Sequence, residues 1–560
     1  MFGQKRKLIR LFVVLSPSLV FADVSLENGP YLQRLDHDSV TICVELELTG
    51  GSQVPESYEV QYSLDGENWI SQTSYTTADP GGVYEVVRSD LPASGQGPLS
   101  ANTVYFYQIV WGGEVRAGPY KFRTFVKKHW SAGLETSAFY LLALGDNRWG
   151  GATKSQFHNI IDNLMDAEFG ADPNRDFVGQ SRPRFLLHGG DYVDEDIFGS
   201  YTTGTGWHGR FFQGFAGPGR RLMQNVCLFP SQGNHEKGNS SCRYYQFFFP
   251  PENTDATCYY YSFDYNIVRV ICLNDHYKSY VNSYRSAQNT WLQGQLESVN
   301  NRWCIVFFHV PYYDRGGHKG CNDGSSDNIT SVAYSDWHSL LNDGACSGHS
   351  NIDRAHLIIT SHSHNFQHHK LTGAGTTDPP IYVVSGGAGA NLHDYYSEAS
   401  CCNTADYGMV FPEYGNDEQE ALAKTYHYLL IEIDGDTLTV TAKEMKTTAG
   451  GGVATMHTLQ VTHPDQYFQR GDANDDDTLN VSDVVTIAHW QGGDATKTPN
   501  SFDSADVNDD GANNLADAIY LAEYLFQGGE APPEPLNHCG TDPTSDSLRS
   551  WFYESCDCPE

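Results

Sequence analysis

The chain has 560 residues, with 69 acidic side chains against 35 basic ones and a formal charge of −34 at pH 7. With no offsetting basic patch, that excess excludes nucleic-acid backbones and anionic membrane surfaces as partners, because like charges repel. An apolar share of 39% with 13% aromatics can build cores for roughly three domains of ~100–200 residues each, which excludes disorder along the whole length.

The N-terminus reads as an export signal. Lys5, Arg6, Lys7 and Arg10 give a positive stretch, Leu8 to Leu15 and Leu19 to Phe21 supply apolar length, and Val20-Phe21-Ala22 ends on the small residue a signal peptidase accepts. A signal peptide over 1–22 with cleavage after Ala22 is expected, giving a secreted, periplasmic or cell-surface protein. Ser16-Pro17-Ser18 breaks the run, which argues against a membrane anchor, and no other segment is long and apolar enough to span. Cysteine usage agrees with an oxidising compartment. Of 13 cysteines, Cys43, Cys227, Cys242, Cys258, Cys272, Cys304, Cys321, Cys346, Cys401 and Cys402 precede the acidic C-terminus without a CxxC spacing. Cys242 with Cys258, or Cys321 with Cys346, flank loops short enough to staple, whereas Cys272 and Cys304 sit inside apolar runs and suit buried thiols.

From 23 to 126 short alternating runs are broken by turn clusters: Ser39 to Glu47, Ser57 to Tyr62, Val83 to Val87, Val104 to Val110 and Tyr120 to Thr124. This spacing predicts an all-β sandwich, with no cluster of titratable groups and hence a scaffold role. Lys127 to Ser137 is polar and reads as a linker. A second domain, 135–463, alternates apolar runs (Phe139 to Leu144, Phe185 to Leu187, Val226 to Phe229, Cys304 to Phe308, His356 to Thr360) with helix-length stretches such as Ser155 to Glu168 and Ser286 to Val299. Buried strands with helical crossovers predict an α/β layered domain.

Each of these runs ends in a polar cluster: Gly145-Asp146-Asn147-Arg148, Gly190-Asp191-Tyr192-Val193-Asp194, Gly233-Asn234-His235-Glu236, His309, and Ser361-His362-Ser363-His364. Ligands of α/β sheets bind beyond the carboxyl ends of strands, so the five clusters are expected to converge. Carboxylate, amide oxygen and imidazole without thiolate suit Fe, Mn or Zn.

In this ordered set the sequence resembles the calcineurin-like metallophosphoesterases, and more closely their purple acid phosphatase branch, whose N-terminal fibronectin type III-like domain is similar to the sandwich opening on Gly29-Pro30-Tyr31-Leu32-Gln33. The resemblance implies a β-sandwich flanked by helices holding two transition-metal ions: Asp146 and His364 on the first, Asn234, His309 and His362 on the second, and Asp191 bridging. It further implies in-line attack of a metal-bound hydroxide on a phosphomonoester. His235, His318 and Arg148 match positions facing the substrate, as proton donors or phosphate contacts. Two departures stand out. Where the purple enzymes carry tyrosine three residues after the bridging aspartate, this chain has Asp194, a candidate ligand of the first metal that gives no tyrosinate colour. Ser361 replaces the usual glycine before the histidine pair, so that turn must accommodate a side chain.

The C-terminus differs in kind. From Asp465 to Glu560 there are 20 acidic residues against Arg470, Lys497 and Arg549, half the net charge of the whole chain. Two segments repeat one spacing 34 residues apart: Asp472, Asn474, Asp476, Thr478, Asn480 and Asp483, then Asp506, Asn508, Asp510, Ala512, Asn514 and Asp517. Oxygen donors at loop positions 1, 3, 5, 9 and 12, with a backbone carbonyl at 7, describe EF-hand-type calcium loops, and each precedes an apolar helix pattern, Val484 to Trp490 and Ala518 to Leu525. The pair resembles a type I dockerin, which implies a small helical calcium module over 470–528 and a cohesin-type partner, or else a calcium-stabilised terminus alone. Asp477 stands where the loop's sharp turn usually takes glycine. The tail, 529–560, with Cys539, Cys556 and Cys558, has no sequence-level role.

The expected function is a secreted metallophosphatase acting on a phosphorylated small molecule. A phosphodiesterase or nucleotidase on the same metal core is the nearest alternative. A calcium-dependent, non-catalytic surface or matrix protein is the alternative of another class.

Overall fold

The computed structural model describes residues 24–81, 83–126, 138–148, 154–171, 175–193, 222–236, 247–248, 250–251, 260–275, 282–299, 302–311, 314, 337, 340–341, 355–370, 380–395, 422–463, 467–499, 501–544, 546, 548–550 and 553. The expected signal peptide, the linker, Asp194, His318, and Cys242, Cys258, Cys321, Cys346, Cys401, Cys402, Cys556 and Cys558 lie outside them.

Eight strands come first: β1 (Val24–Gln33), β2 (Val40–Leu48), β3 (Glu59–Ser63), β4 (Ile70–Gln72), β5 (Thr76–Gly81), β6 (Tyr84–Leu91), β7 (Val104–Trp111) and β8 (Glu114–Arg123). They form two antiparallel sheets, β1-β2-β6-β5 and β4-β3-β7-β8. Period-two alternation sends Val40, Ile42, Val44 and Leu46 from one sheet and Val60, Tyr62, Tyr107 and Ile109 from the other into a shared core. β1 escapes the alternation pattern because its pairing with β2 shifts register twice, between Leu26 and Asn28 and between Asn28 and Tyr31. The sandwich is hydrogen-bonded to the layers that follow: Tyr107 Oη donates to the Gln224 carbonyl (2.7 Å), Gln33 Nε2 to that of Leu228 (3.1 Å) and Arg123 Nε to that of Val178 (2.7 Å).

The next elements are β9 (Phe139–Leu144), α1 (Lys154–Phe169), β10 (Pro183–His188), α2 (Leu222–Asn225), β11 (Cys227–Pro230), β12 (Tyr261–Tyr265), β13 (Val268–Cys272), α3 (Asn282–Glu297), β14 (Trp303–Phe307), β15 (Leu357–Thr360), β16 (Phe366–Lys370), β17 (Ile381–Ser385), β18 (Leu422–Ala423), β19 (His427–Asp434), β20 (Thr437–Met445) and β21 (Val453–Thr462). They make a six-stranded sheet, β11-β10-β9-β19-β20-β21, and a seven-stranded one, β12-β13-β14-β15-β17-β16-β18.

Alternation again decides the layers. Leu141, Ala143, Phe185, Leu187 and Phe229 of the first sheet meet Val270, Ile305, Phe307, Leu357 and Ile359 of the second in one core. The alternate residues Leu142, Leu144, Leu186 and Leu228 pack under Phe157, Ile160, Ile161 and Leu164 of α1. On the far side, Ile271, Cys304, Val306 and Ile358 pack under Leu292 and Leu296 of α3. Strands buried on both faces read as continuous apolar runs, which is why the sequence marks them so plainly. Cys43, Cys227, Cys272 and Cys304 are buried free thiols.

Beyond β22 (Tyr467–Phe468) come α4 (Val481–Gln491), α5 (Phe502–Ala505), α6 (Leu515–Gln527) and β23 (Gly540–Thr541). Ala473, Ile487, Ala505, Val507, Ala518 and Leu521 form a small separate core. The tail without a sequence-level role is folded onto this module. β23 pairs with β22, the Tyr553 hydroxyl donates to Asp472 Oδ2 (2.8 Å), and Cys539 is disulfide-bonded. Arg549 Nε sits 3.0 and 2.8 Å from the two Asp436 carboxylate oxygens, in the turn between β19 and β20. Among the described residues no helix is long and apolar enough to cross a membrane.

Candidate metal centre

Asp146, Asp191 and Asn234 follow β9, β10 and β11, parallel neighbours in the six-stranded sheet. His309, His362 and His364 follow β14 and β15, parallel neighbours in the other sheet. The expected convergence at strand ends is therefore served by two sheets rather than the crevice of one. Core packing brings their carboxyl ends together. The turns are tight: Asp146, Asp191 and His362 all have left-handed backbone, with φ of 59°, 57° and 65°, a conformation that costs energy in non-glycine residues and concentrates at functional sites. Gly190, at φ 94°, is needed as glycine, since a Cβ there would lie 2.6 Å from the Gly233 nitrogen. Ser361 fits for the converse reason. Its Oγ occupies the room beside Gly145 and Gly189, 2.1 and 2.0 Å from where a Cβ on either would fall, and it donates to the Ser385 carbonyl at 3.2 Å.

Two buried groups of potential ligands result, Asp191 with His309 and His362, and Asp146 with Asp191 and His364, the ligand atoms of each lying within 4.8 Å of one another. Asp191 belongs to both. Asn234 Oδ1 joins the first group, 2.9 Å from His309 Nε2 and 2.9 Å from His362 Nδ1. His309 donates its Nδ1 hydrogen to the Gly189 carbonyl (2.7 Å) and His364 donates its own to that of Asn391 (2.6 Å). In both rings this leaves Nε2 as the lone-pair nitrogen, turned toward Asp191 Oδ1 (3.4 Å) and Asp146 Oδ1 (3.3 Å) respectively. Asp146 Oδ1 and Asp191 Oδ2 are buried without a hydrogen-bond partner. Buried carboxylate oxygens left unsatisfied beside imidazole lone pairs are costly unless a cation completes them, so these residues fit a metal-ion site.

The two carboxylates are held differently. Burial drives the Asp146 carboxyl well above the ordinary range, ahead of the opposing charge of His309. Burial also pushes Asp191 up, but His309, His235 and Arg148 together outweigh it and leave Asp191 below the usual carboxylate range. Burial, reinforced by Arg148, lowers His364 to about 4.

Arg148 and His235 stand together at the rim. Arg148 Nη1 contacts the His235 ring, 3.0 Å from Nδ1, Nη2 lies 3.1 Å from His364 Nε2, and Nε is 3.6 Å from Asp191 Oδ2. Tyr192 turns away, its ring stacked on His188 at 4.0 Å and its hydroxyl donating to the Ser231 carbonyl at 3.1 Å.

Several residues that hold the site carry no role in the sequence reading. Glu236, quoted there only as part of its motif, accepts the backbone N–H groups of Asp191 (2.9 Å), Tyr192 (2.8 Å) and Gly233 (2.9 Å), tying two ligand turns together. His188 accepts the Gly190 N–H on Nδ1 (3.2 Å) and donates from Nε2 to Asn147 (2.8 Å). Asp275, pushed up to about 8 by burial, accepts the Val310 N–H beside His309. A turn at Gly386–Tyr395 backs the first group through Ala388 N to the Gly145 carbonyl (3.0 Å) and Ala390 N to that of Asp146 (2.9 Å). Only the carboxylate in the GNHE motif carried a sequence signal; the others act through contacts distant in sequence.

In the C-terminal repeat the two loops are folded alike. Asp472 accepts from the Asp476 and Asp477 amides (3.1 and 3.0 Å), as Asp506 does from those of Asp510 and Gly511 (3.2 and 2.9 Å). Asp476 and Asp510 accept from Thr478 and Ala512 (3.1 and 3.0 Å). Asn480 with Asp483, and Asn514 with Asp517, form capping boxes on α4 and α6. Asn474 and Asn508 donate to the Asp476 and Asp510 carboxylates. Asp477 takes the left-handed φ of 62° that Gly511, at 77°, takes in the second loop.

Residues 141–366 match the calcineurin-like phosphoesterase family. Among solved structures the chain is similar to the purple acid phosphatase PPD1 from yellow lupin (Lupinus luteus) seeds, at 15% identity over 78% of this chain and 74% of that one, with a TM-score of 0.52. It is also similar to PhoD, at 12% identity over 77% of this chain and 89% of that one, with a TM-score of 0.50. Identities this low speak for the fold. No curated protein sequence matches the chain closely enough to count. With this domain and its buried cluster of acidic and imidazole side chains, the chain is a metallophosphoesterase, a hydrolase built on a calcineurin-like phosphoesterase domain.

Proposed function

We propose that the protein is a secreted phosphatase that hydrolyses phosphomonoesters at a dinuclear metal centre. The observation that carries this reading is the pair of buried ligand groups sharing Asp191. Asp146 and His364 would hold the first cation, Asn234, His309 and His362 the second, and Asp191 would serve both. Asp194 is a further candidate for the first. The cations, Fe, Mn or Zn by donor type, supply Lewis-acid polarisation of the phosphoryl oxygens and acidify water. The chain's own part is to fix the ligands on strand ends and to meet the substrate at the rim. There Arg148 donates charge-assisted hydrogen bonds to the phosphate, and His235, with His318, protonates the leaving alkoxide.

The other modules keep the same division of labour. The eight-stranded N-terminal sandwich, residues 23–126, is a fibronectin type III-like scaffold. Residues 470–528 are a dockerin-like module holding a calcium ion in each loop. Support for a partner-binding role comes from side chains exposed at equivalent places in the repeat, Val481 and Val485 on α4 and Leu515 and Ile519 on α6, each between 41 and 55% exposed. Such a two-fold apolar face suits a cohesin-type protein.

Purified protein stripped of metal and reloaded with Zn²⁺, Mn²⁺ or Fe is tested on p-nitrophenyl phosphate and on its bis ester. Metal-dependent turnover of the monoester is expected to exceed that of the diester. Turnover of the diester alone would reassign the protein as a phosphodiesterase. Absence of both would leave the calcium-binding surface protein as the reading.

A further inference from the structure

Among the described residues, His364 is the only histidine of the first ligand group, and its surroundings differ from those of His309. His309 is anchored through Nδ1 on the Gly189 carbonyl beyond β10. His364 is held by the turn at Gly386–Tyr395 through its backbone, its Nδ1 and one ring face. The His364 N–H donates to His393 Nδ1 (3.2 Å), the His393 N–H donates back to the His364 carbonyl (3.0 Å), and the His364 Nδ1 hydrogen goes to the Asn391 carbonyl. The two imidazoles lie face to face, centroids 3.9 Å apart at 23°. Because His393 Nδ1 accepts a hydrogen, its ring carries the proton on Nε2 when neutral. His393 is half-buried.

These contacts fix both torsions of the His364 side chain. The backbone pair sets where the side chain starts, and the stacked ring with the Asn391 carbonyl sets the plane in which Nε2 meets Asp146 Oδ1. We propose that His393 is a positioning residue for the first cation site, acting through His364, and that it sets the affinity of that site without affecting the second. The inference rests on the dinuclear reading above. The sites are separable because the first draws on Asp146, Asp191 and His364, whereas the second draws on Asp191, Asn234, His309 and His362, and His393 stacks on His364 of the first group. Groups that orient a ligating imidazole are worth about 10–100-fold in metal affinity.

The test is calorimetric titration of the metal-free full chain with Mn²⁺ and with Zn²⁺, for wild type, His393→Ala, His393→Asn and His393→Phe, with thermal melting of each metal-free variant alongside. Calcium loops are kept saturated throughout with excess Ca²⁺. Wild type is expected to bind two transition-metal ions. His393→Ala should weaken one of them by about 10–100-fold and leave the other unchanged. Asn can still accept the His364 N–H and Phe can still stack, so each should recover part of the loss. Equal affinities in wild type and His393→Ala would overturn the inference while leaving the dinuclear centre standing. Equal weakening of both ions, or a loss that tracks the melting temperature and is not relieved by Asn or Phe, would also overturn it by showing a merely structural role. Failure of wild type to bind two ions would refute the dinuclear reading instead.

Discussion

The two regions proposed to bind cations are built on opposite plans. The candidate metal cluster gathers Asp146, Asp191, Asn234, His309, His362 and His364 from five strand ends of two sheets, and all of these side chains but the half-buried Asn234 are buried and held by residues outside the set. Each C-terminal loop takes its candidate ligands from one short run of chain and folds their carboxylates onto its own amides. A site assembled by tertiary packing keeps its shape as long as the layers around it stand. A site assembled within one loop would draw its order from an ion, and here also from a core of six buried residues. Metal should therefore matter for chemistry in the first region and for folding in the second.

The strongest attempt to break this contrast is Asp191→Asn. It should lower hydrolysis by more than ~10²-fold, beyond what altering a partner of a ligand costs, while the melting of the catalytic layers changes little. A collapse of the fold would show that the catalytic site is as ion-dependent as the loops. Calcium chelation is the mirror experiment: limited proteolysis should open the chain between 470 and 528, with hydrolysis retained after transition metal is restored.

A pH series sharpens the role of the tail. Asp503 is pushed up to about 7 by burial, against the Ser550 hydrogen bond and reinforced by the nearby Asp542 and Asp546. A carboxyl raised in the folded state binds a proton that the unfolded chain releases near ~3.9. Stability of the module should therefore be fullest below that value, fall as pH rises toward 7, and then level off. Asp503→Asn should flatten that slope in calcium-free melts. The smallest effect is expected from Asp477→Gly. Relieving a left-handed backbone at φ 62° should stabilise the first loop by about 0.5–1 kcal/mol, read as a small rise in the module's melting temperature.

Much of this was legible in order along the chain. The apolar runs ending in GD, GD, GNHE, H and HSH named the residues that converge because strands buried on both faces leave unbroken apolar signatures, and their polar ends stand out. The 34-residue repeat named both loops because all their donors are local. The first strand was hidden by its two register shifts, and the first half of β8, ahead of the run at Tyr120 to Thr124, by its exposure. The tail was opaque for another reason. Its partners, Asp472, Asp503 and Asp436, are remote in sequence, and nothing in a Tyr, Ser or Arg spacing marks a contact of that kind.

By itself, then, the sequence marked the side chains that the fold brings together as candidate ligands and the strands that are buried, and showed that the negative charge is concentrated in a separate terminal module. Tertiary structure alone decided that two sheets share the candidate site, that Glu236 ties two of its turns together and His393 packs on His364, and that the tail straps the module to the turn at Asp436. The division follows from range. Periodicity and motif spacing are written along the chain, whereas hydrogen bonds between distant turns exist only once packing has brought those turns together.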